Sequence, residues 1–439
     1  DDWVYNIERY IKTPTSGIRA GQPRAALATV VKKTGPQELD IEITDLAEGF
    51  NGWFWLVPSM WTFHAPEVIA KYGNGLDWRN RVGDGPWIIT DLVAGSVVTL
   101  KKNSNYWKKD PVGPGKDNQL PYVDTAKLLF VPDTSTKLAA MRTGKVDWID
   151  GVEGEDARGV LTTTPRIKSY KYLPDGLGVG MRTDKKELPF SDVRVRQALM
   201  MATDFDALTN NLYKGEAEKL IWPLPPSYKE SYVPLEKLPE KLQALYKYNP
   251  EKAKQLLAEA GYPNGFKTQI IVRNITSHID PVSAIKAMWA KVGVDLEIQP
   301  RETAVYTSVY RGRTHPEMIF SSTGGTSFPV VLGMARWRGP VFSNSSYIND
   351  PPGRDSVIEA AYQNIGQYLL VDMPKADQMV RDLMPHLIEQ AYMIGRPTPY
   401  SYRLWQPWVK NYYGESSIPM LITYAWLDQD LKEQTIGRR

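Results

Sequence analysis

The sequence predicts an α/β protein with at least two lobes. The chain has 439 residues, and single hydrophobic cores stop growing at roughly 250–300 residues. Strand and helix patterns alternate along its second half with short connections, which is typical of βαβ units and parallel sheets. Apolar residues make up 42% and charged residues 23% of the sequence. These are ordinary proportions for a globular protein, so neither disorder nor a membrane protein is indicated.

Charge, apolar runs and cysteine content exclude several functional classes. The net charge is only +3, and the basic residues are interspersed with acidic ones, whereas a nucleic-acid-binding surface needs a concentrated basic stripe. No apolar run approaches the roughly 20 residues that span a bilayer. The absence of cysteine excludes disulfides, thiolate metal sites and cysteine nucleophiles. We therefore expect no nucleic-acid partner, no cofactor and no bound metal.

The first part of the chain predicts one helix and several strands. Residues 1–13 place apolar side chains on one helical face, and two runs within 24–48 alternate apolar and polar residues as half-buried strands do. An aromatic segment follows at 51–64. Strands are then predicted at 87–93 and 96–103. The 14 Trp and 24 Tyr of the chain suit core packing and also suit an aromatic-lined cleft.

The middle of the chain predicts an α/β element, a glycine-rich strand and three helices. A strand, a helix closed by Gly144 and another strand follow one another in 128–149. The glycines of 176–180 lack the spacing of a dinucleotide-binding loop and allow close backbone approach instead. Three helices are predicted here. The first begins at Ser191 or Asp192, the second covers Asp206–Tyr213, and the third runs from a cap at Asn249 to Gly261.

The second half predicts a parallel sheet with a site at one of its edges. Strands are predicted at 267–272, 294–299 and 317–321, with helices at 281–292 and 304–311 between them. Ligands bind beyond the carboxyl ends of such strands. We therefore expect Arg273, Asn274 and residues 321–328 to face a cleft. Helices at 354–366 and 373–389 follow, and strands within 400–426 return to the first lobe.

Several motifs carry a family resemblance. The central segment contains the residues Pro189, Phe190, Asp192, Arg194, Arg196, Gln197, Ala198, Leu199, Ala202, Asp204, Gly215, Ala217, Pro223, Pro225 and Pro226. The helix at 248–261, the Asn105-Tyr-Trp107 segment and the run 137–147 add further matches. In these motifs the chain resembles the family 5 extracellular solute-binding proteins, the dipeptide-, oligopeptide- and nickel-binding receptors of ABC importers.

The resemblance implies a fold and a domain organisation. It implies a two-lobed periplasmic-binding-protein-like fold of the class II type, with mixed sheets, a hinge between the lobes and an extra N-terminal subdomain. We expect that subdomain at 1–83, lobe I at 84–185 plus 406–439, and lobe II at 186–405. In the family a β-rich segment precedes the first helix, so the N-terminal opening segment is expected to be missing from this sequence.

The resemblance also implies a function and a set of contacting residues. It implies a non-enzymatic, monomeric receptor in the periplasm or at the cell surface, with or without a lipid anchor, that captures a peptide, oligosaccharide or other small polar solute. Its partners would be the transmembrane permease subunits of an ABC importer. The predicted ligand-binding residues come from the strand ends and from aromatic side chains, and they are Trp53, Trp61, Trp222, Arg273, Asn274, Tyr306, Ser322, Thr323, Gly324, Gly325, Thr326, Phe328 and Trp337.

The loop at 321–329 bears on the class of ligand. In peptide-binding members the equivalent loop carries an acid that pairs with the α-ammonium of the ligand, whereas Ser321–Pro329 contains no carboxylate. A buried, unpaired ammonium would cost several kcal/mol. The loop therefore favours a neutral hydrogen-bonding ligand. An anionic group at Arg273, or a peptide whose ammonium meets an acid elsewhere, stays open.

Two other functions were weighed. A hydrolase on an α/β scaffold lacks support, because the sequence has neither G-x-S-x-G nor H-E-x-x-H. Its four histidines do not have the spacing of metal ligands. His278 and His315 lie near strand ends and are the candidates for metal or haem contact. A ligand-sensing module without a permease would use the same fold, so only the presence of a permease partner separates it from a transport receptor.

Overall fold

The computed structural model describes residues 1–12, 30–42, 64–73, 77–112, 115–324, 335–369, 371–416 and 418–438. The chain divides into two compact units. One consists of Asp1–Asn6, Thr62–Tyr172 and Tyr400–Arg439, and the other of Ile7–Trp61 and Leu173–Pro399. We refer to them as the first and the second unit. The lobe boundaries expected at 83/84, 185/186 and 405/406 stay predictions.

The described residues form short strands and helices throughout. The strands are β1 (Val30–Gly35), β2 (Glu38–Glu42), β3 (Trp87–Val93), β4 (Val97–Lys102), β5 (Thr125–Leu129), β6 (Trp148–Glu153), β7 (Lys168–Tyr172), β8 (Gly176–Met181), β9 (Ala217–Glu218), β10 (Phe266–Arg273), β11 (Val294–Arg301), β12 (Met318–Gly324), β13 (Met393–Gly395), β14 (Thr398–Pro399), β15 (Ser401–Trp405), β16 (Val409–Lys410) and β17 (Trp426–Leu427).

The helices are α1 (Asp2–Lys12), α2 (Pro66–Tyr72), α3 (Thr134–Arg142), α4 (Gly154–Thr163), α5 (Val193–Met201), α6 (Phe205–Ala207), α7 (Glu240–Gln243), α8 (Pro250–Glu259), α9 (Thr276–Ala290), α10 (Thr303–Gly312), α11 (Ser356–Gly366), α12 (Met373–Gln390), α13 (Ile418–Tyr424) and α14 (Gln429–Ile436). The sequence predicts all of these helices except α2, α4, α7, α13 and α14, and α13 lies within 400–426, where strands are predicted. Among the residues described, no helix has the length and apolar character that crossing a bilayer requires.

The first unit contains two three-stranded antiparallel sheets. One has the order β3-β4-β5 and the other the order β6-β15-β7, in which β15 is the central strand. Helices α3 and α4 supply Leu138, Met141 and Val160, which pack with Ile149 and Leu404 of the second sheet into a small core. The indole of Trp408 donates a hydrogen bond of 2.7 Å to Asp147, which ties the segment after β15 to the segment before β6.

The second unit is built on a five-stranded mixed sheet. Its order is β11-β10-β12-β8-β13, with β10 parallel to both β11 and β12, and β8 antiparallel to β12 and β13. Helices α9 and α10 connect the parallel strands, which confirms the predicted βαβ arrangement. The main core packs helices against this sheet around the fully buried side chains of Leu199, Ile270, Trp289 and Phe320.

Two predicted helices differ in detail from the structure. Helix α9 begins at Thr276 rather than at Pro281, because the amides of His278 and Ile279 already bond to the carbonyl of Ile275. Pro281 therefore lies inside the helix, where it cannot donate to the carbonyl four residues before it. The helix predicted at Asp206–Tyr213 is α6 followed by a π-helical turn, Leu208–Leu212.

Strand β8 presents glycines to its closest neighbours, as the sequence indicated. A Cβ atom at Gly176 would lie 2.3 Å from Cδ1 of Ile221, and one at Gly178 would lie 2.7 Å from the carbonyl oxygen of Ile394. Gly180 is equally tight against Ser345. The prediction of close backbone approach is therefore confirmed, and this face of the strand is filled by neighbouring chain.

Candidate functional site

The candidate site lies at the carboxyl end of the parallel strands in the second unit. Arg273 is the last residue of β10 and is in register with Arg301, the last residue of β11. The amide of Asn274 donates to the carbonyl of Arg301 at 2.8 Å, and the side chain of Asn274 is exposed. Strand β12 ends at the same edge with Ser322, Thr323 and Gly324. The predicted strand-end residues thus meet at one sheet edge.

Among the described residues, Arg273 has an aromatic neighbour but no anionic one. Its guanidinium carbon lies 5.1 Å from the ring centroid of Tyr306, a cation–π contact. In the part of the chain that the structure describes, this guanidinium forms no ion pair and no hydrogen bond, although its Nε is buried. A guanidinium carries five N–H donors. Arg273 therefore has its donors available at a sheet edge where α/β proteins bind ligands.

Tyr306 is held rigidly beneath this arginine. It is only 3% exposed, and its hydroxyl donates to the carbonyl oxygen of Phe320 at 2.6 Å. Burial raises the pKa of the Tyr306 phenol above its ordinary value. The ring therefore stays neutral and presents a fixed face to Arg273.

His278 lies in the first turn of α9 beside the same tyrosine. Its ring meets Tyr306 and Phe320 edge-on, with centroid separations of 5.5 and 5.2 Å. The backbone amide of Arg273 approaches Nδ1 of His278 at 3.4 Å, so Nδ1 accepts and Nε2 carries the proton of the neutral ring. Burial, followed by the positive charges of Arg273 and Arg396, lowers the pKa of His278 to about 4. His278 is neutral at physiological pH.

Arg396 supplies a second positive charge. It follows β13, is 6% exposed, and its amide donates to the carbonyl of Leu177 at 2.9 Å. Its guanidinium lies 5.3 Å from the ring centroid of Tyr213, which comes directly after the π-helical turn. Because both arginines act on His278, we call Arg273, His278 and Arg396 the basic cluster.

Two buried hydroxyls lie close to the same edge. Thr323 of β12 is 5% exposed and Thr398 of β14 is fully buried, and neither Oγ1 has a hydrogen-bond partner among the described residues. A Cβ at Gly176 would lie 2.5 Å from the Thr323 hydroxyl and 3.3 Å from that of Thr398. Both hydroxyls thus converge on the end of β8, and Gly176 leaves them room.

The other predicted contact residues lie in different surroundings. Trp222 and Trp337 are 3% and 2% exposed and belong to the main hydrophobic core of the second unit. Ser322 is half-buried in β12. Their ligand contacts, like those of Asn274 and Tyr306, stay predictions. Five further candidates lie outside the described residues, namely Trp53, Trp61, Gly325, Thr326 and Phe328.

Sequence reasoning missed part of the basic cluster. The sequence offers His278 only as a candidate for metal or haem contact, and it does not indicate Arg396 or Tyr213. The signal for His278 was its position just after a strand end, where a helix begins. Arg396 carries no comparable signal, because only the pairing of β13 with β8 brings it to this edge. Among the described residues, no group of three or more His, Cys, Asp or Glu side chains could hold a metal ion.

Comparison with known proteins identifies the class. Residues 1–344 match the model of the bacterial extracellular solute-binding proteins, family 5 (Middle). The chain belongs to this family, as its motifs predicted.

Individual relatives match parts of their own length. Heme-binding protein A of Haemophilus influenzae is 32% identical over 256 residues, covering 56% of this chain and 43% of the relative. The glutathione-binding protein GsiB of Escherichia coli K12 is 26% identical over 300 residues, covering 65% of this chain and 54% of the relative. The chain spans about half the length of these curated relatives.

Solved structures confirm the fold. The periplasmic binding protein DppA from Helicobacter pylori, in complex with the peptide STSA, superposes with a TM-score of 0.76 at 21% identity, covering 97% of this chain and 81% of that one. The binding protein AgaA from A. tumefacien R10, in complex with agropinic acid, gives a TM-score of 0.77 at 20% identity, with coverages of 97% and 82%. The predicted mixed α/β fold of the periplasmic binding proteins is therefore correct.

Proposed function

We propose that this chain is the substrate-binding receptor of an ABC importer, and that it binds a small solute through an anionic group held by Arg273. In this proposal the protein works outside the cytoplasm, in the periplasm or at the cell surface, and delivers its ligand to the permease subunits. It binds its ligand and does not transform it. Family membership supports the receptor role, and the basic cluster supports the anionic ligand.

The observation that carries the ligand class is the guanidinium of Arg273, which has no ion-pair partner among the described residues. A buried or half-buried cation without a partner is costly, and a carboxylate completes it with charge-assisted hydrogen bonds. Arg396 adds a second positive charge near His278, and no carboxylate is among the groups that shift the pKa of His278. An anion therefore gains favourable electrostatics here, whereas a neutral ligand leaves Arg273 uncompensated.

The named ligands of relatives agree with this chemistry. Glutathione, haem, agropinic acid and the peptide STSA all carry carboxylate groups, and they appear in the names of the matched proteins and structures. The loop 321–329 without an acid had favoured a neutral solute. The basic cluster favours the alternative that the sequence left open, an anionic group at Arg273.

Binding of matched ligands tests the ligand class. Titration calorimetry would compare glutathione, Ser-Thr-Ser-Ala, the same peptide with an amidated C-terminus, and an uncharged oligosaccharide. Hydrogen bonds to charged groups contribute about 1.5–3 kcal/mol each, so amidation should weaken binding about 10- to 100-fold. Thermal unfolding offers a second readout, since a ligand at 100 times its Kd adds about 2.7 kcal/mol.

A matched pair of variants assigns the effect to Arg273. Arg273→Ala should bind the acid and the amide of the peptide equally weakly. Arg194→Ala is the control, because Arg194 already pairs with Asp192 at 2.6 Å on α5. Binding of the oligosaccharide alone, or an undiminished preference for the acid in Arg273→Ala, would overturn the anionic-ligand proposal.

The transport role needs a separate test. The receptor loaded with ligand should stimulate the ATPase activity of its permease complex in proteoliposomes, and Arg273→Ala should not do so at the same ligand concentration. A ligand-sensing module would bind the same ligand and leave every permease of its cell unstimulated.

A further inference from the structure

We propose that anionic ligands bind to this receptor together with a proton, which His278 takes up. The inference rests on the proposed function, because it places the ligand's anionic group at Arg273. It adds a regulatory property: the affinity for the ligand rises as the pH falls.

The position of His278 is the first ground for this inference. Arg273 and His278 share the same tyrosine, with the guanidinium 5.1 Å and the imidazole 5.5 Å from the Tyr306 ring centroid. They are also joined directly, through the Arg273 amide and Nδ1 of His278. The charge of Arg273 already acts on the imidazole, so an anion bound by this guanidinium acts on the imidazole with the opposite sign.

The composition of the surroundings is the second ground. The elements packed against His278 contribute Arg273 from β10, Tyr306 from α10, Phe320 from β12 and the charge of Arg396 from the segment after β13. Both charged groups in this set are positive. Asp280, the acidic residue nearest to His278 in the sequence, is exposed on α9.

The free protein therefore holds His278 in its neutral form, and a bound anion weakens one cause of this, the positive charge around the ring. Burial and the two arginine charges lower the pKa of the imidazole to about 4. The added proton goes to Nδ1, which must then release its 3.4 Å bond from the Arg273 amide. A carboxylate at Arg273 favours this step, because it offsets one of the two positive charges and so raises the pKa. Because the complex then binds more protons than the free protein, binding strengthens as the pH falls from about 7 toward about 5. One proton can change the affinity by at most about tenfold per pH unit.

Calorimetry in several buffers measures this proton directly. Glutathione would be titrated into the full chain at pH 5.5 and 7 in buffers that differ in ionisation enthalpy, and the slope of the observed heat against that enthalpy gives the number of protons taken up. We expect net uptake at pH 5.5, and an affinity several-fold higher than at pH 7.

Variants assign the proton to His278. His278→Asn retains an acceptor for the Arg273 amide and should bind glutathione with no proton uptake beyond that of the ligand itself. His64→Gln, which changes a histidine in the first unit, should behave as the wild type. An NMR titration of the imidazole signals should show one histidine, absent from His278→Asn, whose pKa rises when glutathione is added.

The outcomes separate this inference from the proposed function. If glutathione binding depends on Arg273 but takes up no proton, the proton linkage is wrong and the receptor proposal stands. The same conclusion follows if His278→Asn takes up as many protons as the wild type. Failure of both glutathione and Ser-Thr-Ser-Ala to bind the wild type overturns the anionic site and the linkage together.

Discussion

Two groups of arginine and tyrosine side chains in the second unit resemble each other but are neutralised differently. In the basic cluster, Arg273 lies over Tyr306 and has no carboxylate partner among the residues described. In the second group, two arginines lie over Tyr347, and each also binds an aspartate. We call this group the paired cluster, and its members are Arg182, Asp184, Arg313, Tyr347 and Asp350.

The geometry of the paired cluster is complete. The guanidinium carbons of Arg182 and Arg313 lie 4.0 and 3.9 Å from the Tyr347 ring centroid. Arg182 binds Asp184 through two hydrogen bonds of 2.7 and 2.6 Å, and Arg313 binds Asp350 at 2.5 Å.

The difference shows that an aromatic contact alone does not identify a ligand-binding arginine. Stacking on a tyrosine occurs in both clusters, so it does not mark a functional arginine. The hydrogen-bond partners differ: the guanidinium groups of the paired cluster bind carboxylates, whereas that of Arg273 binds neither a carboxylate nor a carbonyl among the described residues and keeps its donors available. The four predictions below test this distinction.

Removing a carboxylate from the paired cluster should have the largest effect on stability. Asp350→Ala leaves Arg313, whose side chain is 10% exposed, without its counter-charge. Breaking a buried pair from one side costs about 3–5 kcal/mol. Urea unfolding should show this loss, while glutathione binding to the folded variant stays unchanged. A loss below about 1 kcal/mol would show that the pair is solvated and that the comparison is wrong.

Acid should remove part of the stability that paired carboxylates provide. Asp355 accepts hydrogen bonds from His386 at 2.8 Å and Tyr392 at 2.6 Å. Burial alone would raise the pKa of this carboxyl, but these two bonds outweigh it and hold the pKa at about 2. The stabilisation is present above about pH 4 and is lost as the pH falls toward about 2, an effect of about 2 kcal/mol.

Unfolding measured at several pH values checks this sign. The wild type should lose stability between about pH 4 and 2 more steeply than Asp355→Asn. Equal slopes for the two proteins would show that Asp355 is not among the carboxylates that acid neutralises.

Removing the unpaired arginine should change stability in the opposite direction. Arg273→Met keeps an unbranched side chain against Tyr306 and takes away an uncompensated cation. We expect stability equal to the wild type or higher by about 1 kcal/mol. The same substitution at Arg313 is the matched comparison and should destabilise. If both variants lose stability alike in urea unfolding, pairing with a carboxylate is not what separates the two clusters.

An exposed ion pair should give the smallest effect. Lys241 binds Glu389 at 2.7 Å, with side chains 66% and 43% exposed. Because water screens such pairs, Lys241→Ala should change the free energy of unfolding by less than about 0.5 kcal/mol. A larger loss that persists in high salt would mean that surface pairs must be included in the comparison.

More of the fold than of the candidate site could be predicted from the sequence. The strands and helices from 266 to 324 follow from local periodicity, and Asp192 and Asn249 cap their helices as the sequence indicated. Arg273 could be proposed from the sequence because strand ends are local features, and its ligand contact stays a prediction. Arg396 reaches the basic cluster only through the pairing of β13 with β8, a contact between segments more than 200 residues apart, and such pairing leaves no local signal.

The loop without an acid shows a second limit. Ser321–Pro329 points to the edge of β12 as a candidate site, but the charge at that edge depends on arginines from other elements. The ligand class inferred from one loop was therefore neutral, whereas the assembled residues favour an anion. A site formed by several segments has an electrostatic character that no single segment displays.

Strand β15 has a consequence for how the protein is made. It is the central strand of the sheet β6-β15-β7, pairing Trp405 with Trp148 on one side and Lys168 on the other. The sheet cannot close until residues 401–405 have been synthesised, long after strands β6 and β7. Contacts so distant in sequence form slowly. The first unit therefore completes this sheet only after the second-unit residues 173–399 have been synthesised.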